Sequence, residues 1–213
     1  MDNDFIAPEM RLFSPKGDRL YLTANERARF LEAAHQEKPN YRMFCHVLHY
    51  TGCRPSEALE LDFSRIAVND REITFRTLKK RKYDQQGRIK QQQYRAVPVP
   101  KELIEHLDLV FGVRGIQEKG KDINNKLWTV SRPAAYRIVK RVMKNANIEG
   151  KQATGKGLRH GFGVAMVTAK KPLPVHILSR LMGHATSKIT EIYLQVTGEE
   201  HRQLVESAWE DND

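Results

Sequence analysis

Long hydrophobic runs are missing from this chain. No apolar stretch approaches the ~20 residues that a membrane-spanning helix requires, and the acidic, polar start Met1-Asp2-Asn3-Asp4-Phe5 lacks the apolar core of a secretory leader. Cysteine is scarce as well. Cys45 and Cys53 fall in or beside one apolar stretch, which argues against a disulfide-stapled scaffold and for a reduced cytoplasmic protein. Acidic residues are in deficit, 26 against 36 Lys and Arg, leaving a net charge of +10. That sign favours a polyanionic partner. An anionic membrane surface would also require apolar anchors on a basic helix. None is present, so nucleic acid is the expected partner and no membrane is. His46 and His49 sit three apart with no third ligand in sequence reach, so they read as packed or surface histidines, and no metal or other cofactor is expected. There is no internal repeat.

What is present is enough for a proper core: 213 residues make one large domain or two small ones. Residues 1–22, with Pro8, Pro15 and Gly17, read as an arm or lead-in. Thr23-Ala24-Asn25-Glu26 is a capping box that opens an amphipathic helix ending near Pro39. Tyr41, Phe44, Cys45 and Leu48 mark a second helix, stopped at Gly52, and Pro55 suits the first turn of a third, Ser56 to Leu61. The period then shortens. Ile66 and Val68, then Ile73 and Phe75, alternate around Asn69-Asp70 as a hairpin, and Tyr94 to Pro100 gives a third strand. Between the second and third strands lies a polar excursion, Thr77 to Gln93. From Arg76 to Arg95 there are eight basic residues and one acidic one.

Pro100 starts a further helix, and residues 112–126 read as a Gly- and Lys-rich loop. Ser131 caps a long helix with an apolar stripe, Ala135, Ile138, Val139, Val142 and Met143, beside a basic one, Arg137, Lys140, Arg141 and Lys144. Three more helices follow, around Leu158 to Ala169, Pro174 to Met182 and Thr186 to Val196. Glu199 to Trp209 closes the chain as a helix with an acidic tail. The fold class expected is mainly α with a small three-stranded antiparallel sheet (α+β).

The chemistry gathers in Lys156 to Tyr193. Lys156, Arg159 and His160 stand at the head of one helix, His184 follows in a Gly-His turn, and Tyr193 lies one short element further on. Cations at a helix start suit phosphate oxygens, and a nearby tyrosine hydroxyl is a nucleophile for whatever they hold. Each residue has a plainer reading. Tyr193 shares a stripe with Ile189, Ile192 and Val196 and would serve as a buried tyrosine. Arg54 could pair with Glu57, His184 could cap the next helix, and Lys79-Lys80-Arg81-Lys82 could be a solvated face. An unpaired guanidinium at Arg159, beside an apolar stripe, would be costly to bury without an anion.

Three motifs decide between these readings. Thr51-Gly52-Cys53-Arg54-Pro55-Ser56-Glu57 resembles the first motif of the tyrosine recombinases, the phage-integrase family. Lys156-Gly157-Leu158-Arg159-His160 resembles the second. Leu181-Met182-Gly183-His184-Ala185, with Tyr193 nine residues after the histidine, resembles the third. The resemblance spans about residues 20 to 209 and implies that family's catalytic-domain fold. The second motif departs at its first position, where histidine is usual and Lys156 stands here. A separate DNA-clamping domain, common ahead of the catalytic one, cannot fit in 22 residues, so the chain resembles the short, catalytic-domain-only kind. The organisation expected is an arm at 1–22, a catalytic domain at 23–198, and a C-terminal helix and tail at 199–213 that docks on a neighbouring protomer.

The resemblance implies a chemistry. Tyr193 attacks a phosphodiester to give a 3′-phosphotyrosine, Arg54 and Arg159 clamp the non-bridging oxygens, and Lys156 and His184 donate hydrogen bonds to the phosphate. Lys79 protonates the leaving 5′ oxygen, with Lys80 as the alternative. Glu57 supports the helix that presents Arg54, and His160 is a packed supporting residue. Lys80, Arg81 and Lys82, and the stripe Arg137, Lys140, Arg141 and Lys144, which lacks acidic partners nearby in sequence, are expected to meet the DNA backbone. The implied partner is double-stranded DNA, engaged as a tetramer on paired sites. A relaxing topoisomerase of related type and a non-cleaving DNA-binding accessory protein are the competing readings.

Overall fold

The computed structural model describes residues 11–77, 88, 92–184, 186 and 189–195. Helix α1, Ala24–Ala34, begins at the expected capping box: Thr23 Oγ1 accepts from the Glu26 amide, and the Glu26 carboxylate accepts from the Thr23 amide. It buries Phe30, Ala33 and Ala34 against α2, Pro39–Thr51. Gly52 ends α2 in the left-handed region at φ 57°, and the four-residue helix α3, Pro55–Ala58, follows. The expected third helix is thus shorter than Ser56 to Leu61.

Strands β1 (Ile66–Ala67), β2 (Glu72–Arg76) and β3 (Tyr94–Pro98) form an antiparallel sheet in chain order. Directly opposed residues share a face, and the register pairs Ile73 with Val97 and Phe75 with Arg95. Ile73, Phe75 and Val97 are buried on that face, and Arg95 is buried beside them.

Helices α4 (Lys101–Phe111) and α5 (Val113–Lys119) come next. The second corrects the expectation of a loop over 112–126. Gly112, at φ 67°, ends α4 and turns the chain so that Val113 enters the core. Arg114 then reaches back to Glu105 at 2.8 Å, and Gln117 donates to the carbonyls of Phe63 and Ile66. These tertiary bonds give a short Gly- and Lys-containing segment the support its own propensity does not supply.

Helix α6, Arg132–Asn145, is capped by Ser131, whose hydroxyl accepts from the Ala134 amide. Its five apolar stripe residues are all buried, so truncating Ile138 to alanine would cost about 2–5 kcal/mol. Helix α7, Gly155–Val167, is capped by Thr154 and packs against α1, α2 and α8, Val175–Met182. The segment expected as a helix from Thr186 to Val196 is different. Its described end, Glu191–Gln195, is 3-10, with the Tyr193 amide bonded to the Thr190 carbonyl at 3.0 Å. Three residues per turn stack Thr190 and Tyr193 on one face, and both are buried.

Two apolar cores result. The larger joins α1 to α6 and the sheet. The smaller holds Leu12, Tyr21, Phe162, Leu178, Met182, Ile192 and Tyr193. Residues 11–22 therefore differ from an arm. They fold back over α7, with the Leu22 amide bonded to the Gly157 carbonyl and Leu12, Tyr21 and Leu22 buried.

Candidate active site

The loop after Gly52 presents Arg54 just ahead of α3. The Glu57 carboxylate accepts from the Arg54 amide at 2.9 Å and from Arg54 Nη1 at 2.8 Å. Glu57 is 1% exposed and also accepts from Arg95 Nη2 at 2.6 Å. Burial resists its ionisation, but Arg95 and Arg54 outweigh that cost, and its pKa is lowered. The support expected of Glu57 is thus a shared carboxylate between two arginines.

Arg159 sits on α7, 7% exposed. The anion expected for a buried guanidinium is replaced by two carbonyls: Arg159 Nη1 donates to Gly52 and Nη2 to Met182, each at 2.6 Å. One side chain thereby ties the turn before Arg54 to the turn before His184. Burial and the neighbouring Arg54 lower its pKa to about 10, which leaves it charged at neutral pH. A guanidinium has five N–H donors, so donors remain for a further acceptor.

His184 follows Gly183 at the end of α8, and its Nδ1 lies 2.8 Å from the Thr190 hydroxyl. Burial, then Arg159 and Arg54, push its pKa down to about 3, so the ring is neutral at neutral pH. When Thr190 donates to Nδ1, the ring proton resides on Nε2 and is available to an incoming oxygen.

Tyr193 is 1% exposed. Its hydroxyl lies 3.1 Å from His160 Nδ1, and its ring stands nearly parallel to that of His184, centroids 6.3 Å apart. Burial raises its pKa to about 12 against the pull of Arg159 and Arg54. The ring fits because residue 163 is glycine: a β-carbon there would come within 2.4 Å of Tyr193 Cζ. The plainer reading of a buried tyrosine therefore describes its packing, while its hydroxyl faces a histidine.

Arg54, Lys156, Arg159, His160 and His184 line one cleft of about 550 Å³. Lys156 is exposed at the second position of α7. Across the cleft stand Arg132 and Tyr136 from α6, one turn apart, with Tyr136 57% exposed. Sequence reasoning missed both. An exposed aromatic four residues after an arginine, off the apolar stripe, was the available signal.

The basic stripe of α6 divides. Arg141 is paired with Glu37 through two bonds of 2.7 and 2.6 Å, and Lys140 donates to the Ala153 carbonyl. The expectation that the stripe lacks acidic partners is corrected, since Glu37 lies 104 residues away and is not visible in local sequence. Arg137 and Lys144 are exposed. Lys79, Lys80, Arg81 and Lys82 lie outside the described residues, as does the helix expected from Glu199 to Trp209. His46 and His49 are packed in α2, and Cys45 and Cys53 are buried free thiols. Among the described residues no cluster of three or more His, Cys, Asp or Glu could hold a metal.

Known proteins are similar to this chain in sequence and in fold. Tyrosine recombinase XerA of Pyrococcus furiosus is 26% identical over 196 residues, covering 88% of this chain and 61% of that protein. Tyrosine recombinase XerD of Mycobacterium tuberculosis is 28% identical over 190 residues, covering 83% and 56%. The chain thus spans about three-fifths of the length of these relatives. Among solved structures, that of XerA recombinase superposes with a TM-score of 0.70 at 22% identity over 91% of this chain and 66% of the other. The catalytic domain of bacteriophage HP1 integrase superposes at 0.59 and 20% identity, over 89% and 95%. The profile of the phage integrase family matches residues 20–200. The chain belongs to the phage integrase family.

Proposed function

We propose that this chain cleaves and rejoins DNA as a site-specific recombinase. The observation that carries the reading is the convergence of Arg54, Lys156, Arg159 and His184 on one cleft, with the Tyr193 hydroxyl held by His160 behind it. A phosphodiester seated on Arg54 and Arg159 has its non-bridging oxygens met by guanidinium N–H groups whose carbons cannot drift, because Glu57 and two carbonyls fix them. Lys156 and the neutral His184 add donors. Tyr193 Oη attacks phosphorus, its proton passing toward His160 Nδ1, and the bond to the 5′ oxygen breaks. Lys79, in the excursion after β2, protonates that oxygen. The 3′-phosphotyrosine keeps the bond energy, and a 5′ hydroxyl from the exchanged strand reverses the step. Since Tyr193 has little solvent contact, the segment carrying it shifts when the phosphate is engaged.

Double-stranded DNA is the partner, and the protein acts as a homotetramer on two paired sites, in a compartment that keeps Cys45 and Cys53 reduced, the cytoplasm. Two structural neighbours support the DNA assignment: a XerH site-specific recombinase bound to its difH substrate before cleavage, and a transposon Tn1549 integrase bound to transposon end DNA. Light scattering with one and with two sites reads the assembly, and a complex no larger than two protomers on paired sites argues against the tetramer.

The test uses a randomised library of nicked suicide duplexes. The wild-type protein is expected to form detergent-resistant adducts enriched in one sequence, and Tyr193→Phe to form none while binding the same duplex. Adducts at the wild-type rate from Tyr193→Phe would remove the nucleophile assignment. Relaxation of supercoiled plasmid without strand exchange would instead place the chain with the topoisomerases.

A further inference from the structure

We infer that Arg95 is a positioning residue that locks the phosphate clamp, the histidine turn and the foot of the basic excursion after β2 in one register. The inference rests on the recombinase reading of the cleft. Arg95 sits on β3, on the face it shares with Phe75 and Val97, and is 9% exposed. Its guanidinium lies 5.3 Å from the Phe75 ring centroid. An arginine in such a place must satisfy its donors internally, and each nitrogen meets a different functional segment. Nη2 donates to Glu57 Oε2 at 2.6 Å, the carboxylate that holds both the amide and the side chain of Arg54. Nε donates to the Leu181 carbonyl at 2.7 Å, just before the Gly183-His184 turn. Nη1 makes a longer contact, 3.5 Å, with the hydroxyl of Thr77, where β2 leads into the excursion that carries Lys79.

The fit around Arg95 is close. Gly183 stands at φ 65°, and a β-carbon there would meet Arg95 Nη1 at 2.9 Å. Thr77, Arg95, Gly183 and His184 also line one shared groove of about 370 Å³, which brings the foot of the excursion and the histidine turn together at this side chain, while Glu57 meets it from the other segment. Because Glu57 is shared, any drift of Arg95 is transmitted to Arg54. Because the Leu181 carbonyl is held, drift also reaches the loop that aims His184. Arg95 touches no substrate in this account. It acts through Glu57, the Leu181 carbonyl and Thr77.

The experiment compares wild type, Arg95→Lys and Thr77→Val on the suicide duplex selected by the wild-type protein. Three quantities are read: thermal melting, half-saturation for DNA, and single-turnover cleavage at saturating protein. A lysine keeps one charge for Glu57 but cannot span three acceptors. Arg95→Lys is expected to cleave about 100-fold more slowly, the scale of a misplacement near 1 Å, with DNA affinity within about threefold. In a Glu57→Gln background the same change is expected to have much less further effect, since both act on Arg54 through one contact. Thr77→Val is expected to lose about threefold to tenfold, restored by a bridging 5′-phosphorothiolate that needs no acid.

Wild-type cleavage rates in Arg95→Lys, or a loss confined to DNA affinity, would overturn the inference, as would full additivity with Glu57→Gln. Should Arg95→Lys melt below the assay temperature, Thr77→Val decides, and an unchanged rate there overturns the inference. Failure of the recombinase reading is distinguishable, because the wild-type protein itself would then form no adduct.

Discussion

At the scale of single residues, Arg159 carries more than a charge. It binds the Gly52 and Met182 carbonyls while keeping donors for a further acceptor. Arg159→Lys should therefore fail twice, losing one carbonyl staple and the planar fork. Single-turnover cleavage is expected to fall by about 10² to 10³, the scale seen when one anion-stabilising donor is removed, with DNA affinity changed far less. Cleavage within threefold of wild type would show that the clamp lies elsewhere. Arg54, Arg159, His184 and Tyr193 could be singled out as candidates in the sequence because each stands in a short motif of distinctive residue types, and the first three line one cleft. Arg95 was not. Its partners Glu57 and Leu181 lie 38 and 86 residues away, and only its position on the inward face of β3, in step with Val97, hinted at burial. Thr190 was hidden likewise, since its bond to His184 depends on a 3-10 turn that the apolar spacing read as an α-helix.

At the scale of elements, helix α6 shows how a stripe of one charge separates into structural and surface parts. Arg141 bridges α6 to Glu37, so Arg141→Ala should lower stability by about 1 kcal/mol, a half-exposed ion pair being worth little more. Arg137→Ala and Lys144→Ala should leave the melting temperature alone. If either side chain meets a phosphate, each change should reduce the salt slope of DNA binding by about 0.9. Slopes unchanged from wild type in Arg137→Ala and Lys144→Ala would take these two side chains off the DNA surface. The stretch of sequence between β2 and β3 holds the proposed acid. Lys79→Ala should cleave ordinary DNA poorly and recover on a bridging 5′-phosphorothiolate, while Lys80→Ala should lose less and show no recovery. The opposite pattern would give the role to Lys80. Helix starts at Thr23 and Ser131 and the stop at Gly52 could be read locally, because a cap is a bond between near neighbours. Helix α5 could not, because the bonds that support it run from Gln117 to Phe63 and Ile66.

At the scale of the whole molecule, the buried His46 and His49 and the half-buried His184 set a pH dependence. Burial pushes His46 down to about 4 and His49 and His184 down to about 3, from 6.5 in the unfolded chain. The unfolded state then binds more protons between those values, so stability falls as pH drops below about 6.5. Glu26, held at about 2 against 4.5 unfolded by Arg19 despite its burial, adds a second loss as pH falls through that lower window. The melting temperature should decline steadily from pH 7 to pH 4, and a flat profile would contradict the neutral state of these rings. The α+β class with its three-stranded sheet was legible from the change in apolar period, and the two-core arrangement was not. Leu12 and Tyr21 complete the smaller core around Tyr193 from a segment whose prolines and glycine gave no periodic signal. The central claim is that the cleft serves one covalent step at one oxygen. Its most direct measurement is mass spectrometry of the peptide recovered from the trapped adduct after protease and nuclease digestion. A nucleotide joined through its 3′ phosphate to Tyr193 is the predicted result. A 5′ linkage, or attachment at any other residue, would contradict the account.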